Sequence, residues 1–379
     1  MPVAVMPPPV VIDVRAAEEP RDVVHHAAQA LVEGKLVAFP TETVYGLAAL
    51  ALDAPTVARL SEVKGREANH PFTLAIRSAD EAVDYVPDMS RLAARLARRC
   101  WPGPVTLVLD NSHGQGLTRR LPASVQEVVS PGRTIGLRVP GHPMVLDVLR
   151  LIAGPLVLTS ANRTGGPEAV TASEVVAAFG ADVPVVLDDG PCRFGQPSTV
   201  VRVQGDRYEI LREGVVPGKT IGRLSNHLVV FVCAGNTCRS PMAEAICRKH
   251  VAARLGCQPD QLDDRGVMVT SAGVAAACGG RASSQAVEVM AEMGLDLSGH
   301  EPQPLTESLV RAADRIYAMT AAYRQTIVTQ WPGAAARTQL LCPDGSDVCD
   351  PIGGPVERYQ RCAAEIESAI LARLDEMLS

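Results

Sequence analysis

Two α/β domains in tandem are the fold class the sequence predicts: a twisted, open, mixed sheet first, then a small parallel sheet with covering helices. Three observations carry this. The 379 residues exceed what one hydrophobic core usually organises. Apolar strand patterns and amphipathic helix patterns are interleaved, irregularly up to about residue 214 and in alternation from residue 227. Between them, Val215-VPGKTIGRLSN combines Pro, Gly and polar residues and reads as a short linker over 215–226.

Composition narrows the functional classes. Lys plus Arg number 36 against 42 acids, a net charge of −6, and the deficit is shared: 21 against 24 through residue 214, then 15 against 18. Neither half has the basic excess of a nucleic-acid module, so any RNA role is expected to be indirect. Of ten cysteines only Cys100 and Cys192 lie in the first half, and no C-x2-C pair suggests zinc. A reduced, cytoplasmic chain follows as the expectation. The Pro-rich start lacks the basic and apolar regions of a signal peptide, and no apolar run approaches the ~20 residues of a membrane span.

Taken in order, residues 1–18 read as an extended arm. From Pro20, the spacing of Val23, Val24, Ala27, Ala28 and Leu31 predicts a helix closed by Gly34. Leu36-VAF is a strand delivering Pro40-TETVYGL, a polar run that faces a pocket or a turn. A short helix then ends at Lys64-Gly65-Arg66, followed by Asn69, His70 and Pro71. Two cations around a glycine could hold a triphosphate; taken alone, a solvated charge pair is the favoured reading. Ser90–Arg99 is helical; Val105-TLVLD and Thr134-IGLRVP are strands. The second places Arg138 among apolar neighbours, where its charge requires a ligand or a buried carboxylate. Met144–Ala153 is helical, Pro155-LVLTS a strand, and SANRTGG a Gly-ended loop. Thr171 and Glu174 have capping-box spacing. Pro184-VVLDDG, Ser198-TVVRV and Arg207-YEILRE complete the strands, the last two joined by a Gln204-Gly205-Asp206 hairpin.

The second half is organised around His227-LVVFVCAGNTCRSPMAEAI, an apolar strand, a tight polar loop and a helix. Cys233 ends the strand, Arg239 follows six positions later, and Pro241 falls in the first helical turn. Ala234, Gly235, Asn236, Thr237 and Cys238 lie between. Small residues, with Gly and Asn tolerant of positive φ, let N–H groups converge on one anion at a helix N-terminus. Such surroundings favour a thiolate, a nucleophile for phosphorus. Arg239 would grip two phosphoryl oxygens as a planar fork, and Ser240 would hydrogen-bond the sulfur as it leaves. Downstream alternation (VMVTSAG, SSQAVEVMAEMG, LTESLVRAA, RIYAMT, AAYRQTIVTQW, QLLC and a last helix from about Glu357) predicts the parallel sheet, its active loop at a strand's carboxyl edge. A leaving group needs an acid; Asp350, before Pro351, is favoured over Asp344 and Asp347. Cys238 either packs beneath the loop or forms a reversible disulfide with Cys233.

CAGNTCRSPMAEA resembles the low-molecular-weight protein-tyrosine phosphatases, which implies Cys233 as nucleophile, Arg239 as phosphate fork, Asp350 as general acid and no cofactor. Thr237 resembles the protein-arginine phosphatase branch, and the residues after Asp-Pro, Ile352, Gly353 and Gly354, lack the aromatics of the tyrosine-directed branch. Over residues 20–214, PTETVYGL, KGR, WPGPVTLVL, TIGLRVPGHP, TSANRTGG, STVV and ILREG resemble, in order, the YrdC family of threonylcarbamoyl-AMP synthases. The resemblance implies condensation of threonine, bicarbonate and ATP, with Mg²⁺, to an adenylate that a separate transferase uses in tRNA modification. It places Lys64, Arg66, His70, Thr134, Ser160, Asn162 and Arg212 on the ATP side and Thr43, Arg138 and Ser198 around threonine. The other reading is a phosphotyrosine phosphatase with an N-terminal nucleotide- or RNA-binding module that makes nothing.

Overall fold

The computed structural model describes residues 7–65, 70–112 and 115–378. These divide into two compact units, 1–224 and 225–379. In the first, the strands are β1 (Val10–Asp13), β2 (Val37–Phe39), β3 (Gly46–Leu50), β4 (Thr73–Ala75), β5 (Val105–Asp110), β6 (Thr134–Arg138), β7 (Leu156–Ser160), β8 (Val185–Asp188), β9 (Thr199–Gln204) and β10 (Arg207–Arg212). They form one mixed sheet in the order β1-β8-β2-β3-β7-β4-β6-β5-β9-β10. Parallel pairs (β4 with β6, β5 with β9) stand beside antiparallel ones (β3 with β7, β5 with β6), as a sequence without strict βαβ alternation requires.

Both faces of this sheet are covered because its strands are apolar on both sides. Val37 and Phe39 of β2 pack with Val24, Leu31, Val145 and Leu149 of the helices Pro20–Val32 and Pro143–Leu151. Leu36 and Ala38, of opposite parity, face Val57 and Leu60 of the helix Ala54–Lys64. The helix from Pro20 stops where Gly34 turns to φ +77°, and Thr171 with Glu174 makes the full capping box. Gly205, at φ +56°, makes the β9–β10 hairpin.

Two segments carry more structure than their sequence reading named. Within the extended arm over 1–18, Val10–Asp13 forms β1, pairing in parallel with β8 at the edge of the sheet. The linker over 215–226 is likewise packed. Val216 N–H donates to Thr199 Oγ1, residues Gly218–Ser225 form a helix, and Ile221 is fully buried in the first core.

The second unit holds β11 (His227–Cys233), β12 (Val267–Gly273), β13 (Arg315–Ala318) and β14 (Thr338–Leu340), all parallel, in the order β12-β11-β13-β14. Every residue of β11 is buried. Val229, Phe231 and Cys233 face the core formed with the helices Arg239–Leu255 and Val356–Met377; Leu228, Val230 and Val232 face Val310 and Ile327 on the other side. Each such side chain contributes about 1.5–3 kcal/mol relative to exposure. The central strand therefore holds the start of the Cys233 loop rigidly. No described helix is long and apolar enough to cross a membrane.

Candidate functional site

The loop after β11 closes on a sulfur. Cys233 is buried; Asn236 takes φ +55°, and its N–H donates to Cys233 Sγ at 3.3 Å. Ser240 Oγ lies 3.0 Å from the same sulfur. The loop's carbonyls are bonded elsewhere: Cys233, Ala234 and Thr237 accept from the N–H groups of Val274, Ala275 and Ser283, and Asn236 O pairs with His300 Nε2 at 2.9 Å. These bonds tie four loop carbonyls to neighbouring segments, a backbone arrangement suited to an anion at the sulfur. Gly235 is the residue whose missing side chain leaves the rim open, the nearest atom to an added Cβ being Thr237 Oγ1 at 3.7 Å.

A second layer fixes this loop. Asn236 Nδ2 donates to Ser240 Oγ (2.9 Å) and Ser271 Oγ (2.8 Å), and Ser271 Oγ donates to Glu244 Oε2 (2.7 Å). Burial pushes the Glu244 carboxyl above its ordinary range, against the Ser271 hydrogen bond. Gly273, ending β12, is needed for close approach: a Cβ there would stand 2.3 Å from Ala234 O and 2.9 Å from Asn236 N. Cys238 Sγ points under the loop, 3.3 Å from Ser283 Oγ and 3.7 Å from Tyr359 Oη. Both Cys233 and Cys238 are free thiols here.

Arg239 is buried at the first position of its helix. Its Nη2 donates to Asp350 Oδ2 at 2.5 Å and to Tyr323 Oη at 3.3 Å, its Nη1 to Val348 O, and the guanidinium lies 5.6 Å from the Tyr323 ring centre. The geometry separates the three candidate aspartates. Asp344, Asp347 and Asp350 each accept a backbone N–H bond, from Ser346, Ala321 and Ile352, but it is the half-exposed Asp350 that also reaches the arginine. Sequence reasoning missed Glu244, Ser271, His300 and Tyr323, whose only signal was polarity beside apolar strands.

In the first unit, a cleft of about 590 Å³ gathers Thr43, Lys64, His70, Thr134, Arg138, Ser160, Asn162, Ser198 and Arg212. Arg66 lies outside the described residues. These side chains come from six strands or strand ends and one helix end, which is why no single stretch of sequence displays the site. Lys64 Nζ donates to Ser160 O (2.8 Å), Asn162 O (2.5 Å) and Asn162 Oδ1 (2.8 Å), so its three donors brace the Ser160–Asn162 turn. Arg212 Nη2 donates to Ser198 O, and Ser198 Oγ lies 3.0 Å from Thr106 Oγ1. Arg138 has the carboxylate partner its burial demanded, Glu42, at 2.7 Å, with Thr43 Oγ1 at 3.0 Å. Glu42, Thr106, Glu168 and Arg202 were not singled out beforehand; only for Glu42 was there a signal, the unmet charge of Arg138.

A family model described as telomere recombination, covering the Sua5, YciO and YrdC proteins, matches residues 29–214. The chain belongs to this family. Its second unit is a low molecular weight phosphatase domain, matched over residues 228–378 by the model described as low molecular weight phosphotyrosine protein phosphatase. Threonylcarbamoyl-AMP synthase of Pyrococcus abyssi (strain GE5 / Orsay) is 36% identical over 220 residues, 57% of this chain and 62% of that protein. The chain thus spans about three fifths of that relative's length. A solved variant of P. abyssi Sua5 is 27% identical with a TM-score of 0.51, covering 70% of this chain and 91% of the other. YwlE arginine phosphatase from Geobacillus stearothermophilus is 36% identical with a TM-score of 0.35, covering 40% of this chain and 92% of the other.

Proposed function

We propose that the chain is bifunctional: its Sua5/YciO/YrdC unit makes threonylcarbamoyl-AMP, and its second unit dephosphorylates phosphoproteins. The observation that carries the first half is the cleft itself, where a buried arginine and a cluster of cations and hydroxyls converge from distant parts of the chain. Threonine's amine adds to bicarbonate carbon with loss of water. A carbamate oxygen then attacks the α-phosphorus of ATP, the bond to the bridging oxygen breaks, and pyrophosphate leaves. This chemistry asks mainly that anions be held together and neutralised. Arg138, Thr43 and Ser198 hold threonine; Arg66, His70, Thr134, Ser160, Asn162 and Arg212 hold the nucleotide, and Lys64, its donors on the Ser160–Asn162 turn, lends that side its positive charge. Mg²⁺ would be held by Glu168, the carboxylate lining the cleft, together with ATP phosphates, and would supply neutralisation of phosphate charge. The adenylate passes to a separate transferase acting on tRNA. Pyrophosphate release from ATP that requires both threonine and bicarbonate tests the assignment; its absence would leave a nucleotide-binding module.

In the second unit, Cys233 Sγ attacks phosphorus and the leaving group takes a proton from Asp350. Asp350 then accepts a proton from the water that cleaves the phosphocysteine, and Ser240 hydrogen-bonds the departing sulfur. The Arg239 fork binds two phosphoryl oxygens once Asp350 turns toward the leaving group. Phosphoarginine is the favoured substrate. Thr237 sets a hydroxyl in the loop, and after the Asp-Pro stands an exposed Ile352 with two glycines, offering no ring for stacking on a phenol. Faster cleavage of phosphotyrosine than of phosphoarginine peptides at equal concentration would reverse that preference. Ten unpaired cysteines suit the reducing cytoplasm.

A further inference from the structure

We propose that Glu42 is a positioning residue for the amino-acid substrate, fixing the Arg138 guanidinium so that its Nη1 meets the substrate carboxylate. The inference rests on the synthase reading above. Arg138 has five N–H donors. Nε donates to Gly103 O at 3.2 Å, and Nη2 to Glu42 Oε1 at 2.7 Å and Thr43 Oγ1 at 3.0 Å. The two donors of Nη1 carry no bond to any described residue, and Arg138 lines the cleft. The Nε and Nη2 donors are therefore fixed to protein, and Nη1 is the group left for a ligand.

Only a carboxylate can do what residue 42 does. Oε1 accepts from Arg138 while Oε2 accepts from Gly141 N at 2.8 Å, so both oxygens face donors. A glutamine would turn an N–H₂ toward one of them. The two side chains are 8% and 10% exposed, so Glu42 also neutralises a charge that would otherwise be buried alone. The residue is itself anchored: its carbonyl accepts from Phe194 N, and a Cβ on Gly141 would sit 3.1 Å from its carboxyl carbon. Glu42 does not touch the reacting atoms; it acts through Arg138.

The test uses the full chain, unaltered and as Glu42→Gln and Glu42→Asp, with steady-state pyrophosphate release measured while threonine and ATP are varied separately. Glu42→Gln should raise KM for threonine by about tenfold, as expected for disturbing one charge-assisted hydrogen bond. KM for ATP should stay within about twofold, and Glu42→Asp, which keeps the charge, should recover part of the loss. L-Threoninamide, lacking the carboxylate, should inhibit the unaltered and Glu42→Gln chains equally. An unchanged threonine KM in Glu42→Gln overturns the proposal, as does an equal rise in both KM values or a threoninamide inhibition that weakens with threonine. Should Glu42→Gln fail to fold, Glu42→Asp decides by the same split between the two KM values. An unaltered chain that binds ATP but shows no threonine-dependent release overturns the synthase reading and this proposal together; unchanged variants overturn only the latter.

Discussion

At the scale of single residues, the phosphatase loop makes the sharpest predictions. Cys233→Ser removes the polarisable nucleophile but keeps the shape around it. Turnover should fall by about a thousandfold or more, while inorganic phosphate, measured by calorimetry, still binds with nearly unchanged affinity. Asp350→Asn should lower kcat by about 10²–10⁴. It should also tighten phosphate binding, because Arg239 Nη2 now spends its hydrogen bond on that carboxylate. Normal turnover in either variant would remove the assigned role. Asp350 pairs with Arg239 in the structure, and on the proposed mechanism that carboxylate would give way to phosphate.

Elements explain why the loop can exist. Helix and strand placement was largely legible, because β11 carries six consecutive apolar residues after His227 and because Thr171, Glu174, Gly34 and Gly205 mark ends by their own backbone chemistry. The partners of the site were not legible. Ser271 meets Asn236 through the parallel register of β11 with β12, and Glu244, on the helix Arg239–Leu255, meets Ser271 in turn; no local pattern encodes either contact. Likewise the demand for a carboxylate beside Arg138 could be read, but not which of the acids answers it. The end of β12 is predicted to tolerate no side chain: Gly273→Ala forces a Cβ against Ala234 O and should cost about 3 kcal/mol with loss of phosphatase activity, readable by urea denaturation. Glu244 gives the element a pH signature. Its carboxyl is raised by burial, so the folded state holds the proton more tightly than the unfolded chain. That contribution is fully present below the unfolded value, about 4.3, and is lost as pH rises through the raised one. Denaturation of the fragment 225–379 at pH 4 and pH 8 should show this loss, and Glu244→Gln should flatten it. An unflattened profile would assign the dependence to another group.

For the whole molecule, the division falls between Leu224 and Ser225, ten residues beyond where the composition suggested the first core ended at 214. A chain of residues 1–224 should fold and retain the cleft. One ending at 214 should be weaker by about 2–5 kcal/mol through loss of Ile221 alone, seen as a lower midpoint in urea; equal midpoints would make the helix Gly218–Ser225 dispensable. Fragment 225–379 should keep phosphatase turnover when assayed without the first half.

That helix also bears on how such a chain could be recombined. A crossover placed at the last residue recognisable by motif would strand an apolar side chain in water and leave a groove uncovered in its former host. Shuffling the catalytic halves, by evolution or at the bench, therefore has one clean seam, and the ten residues that look like spacer must travel with the upstream partner.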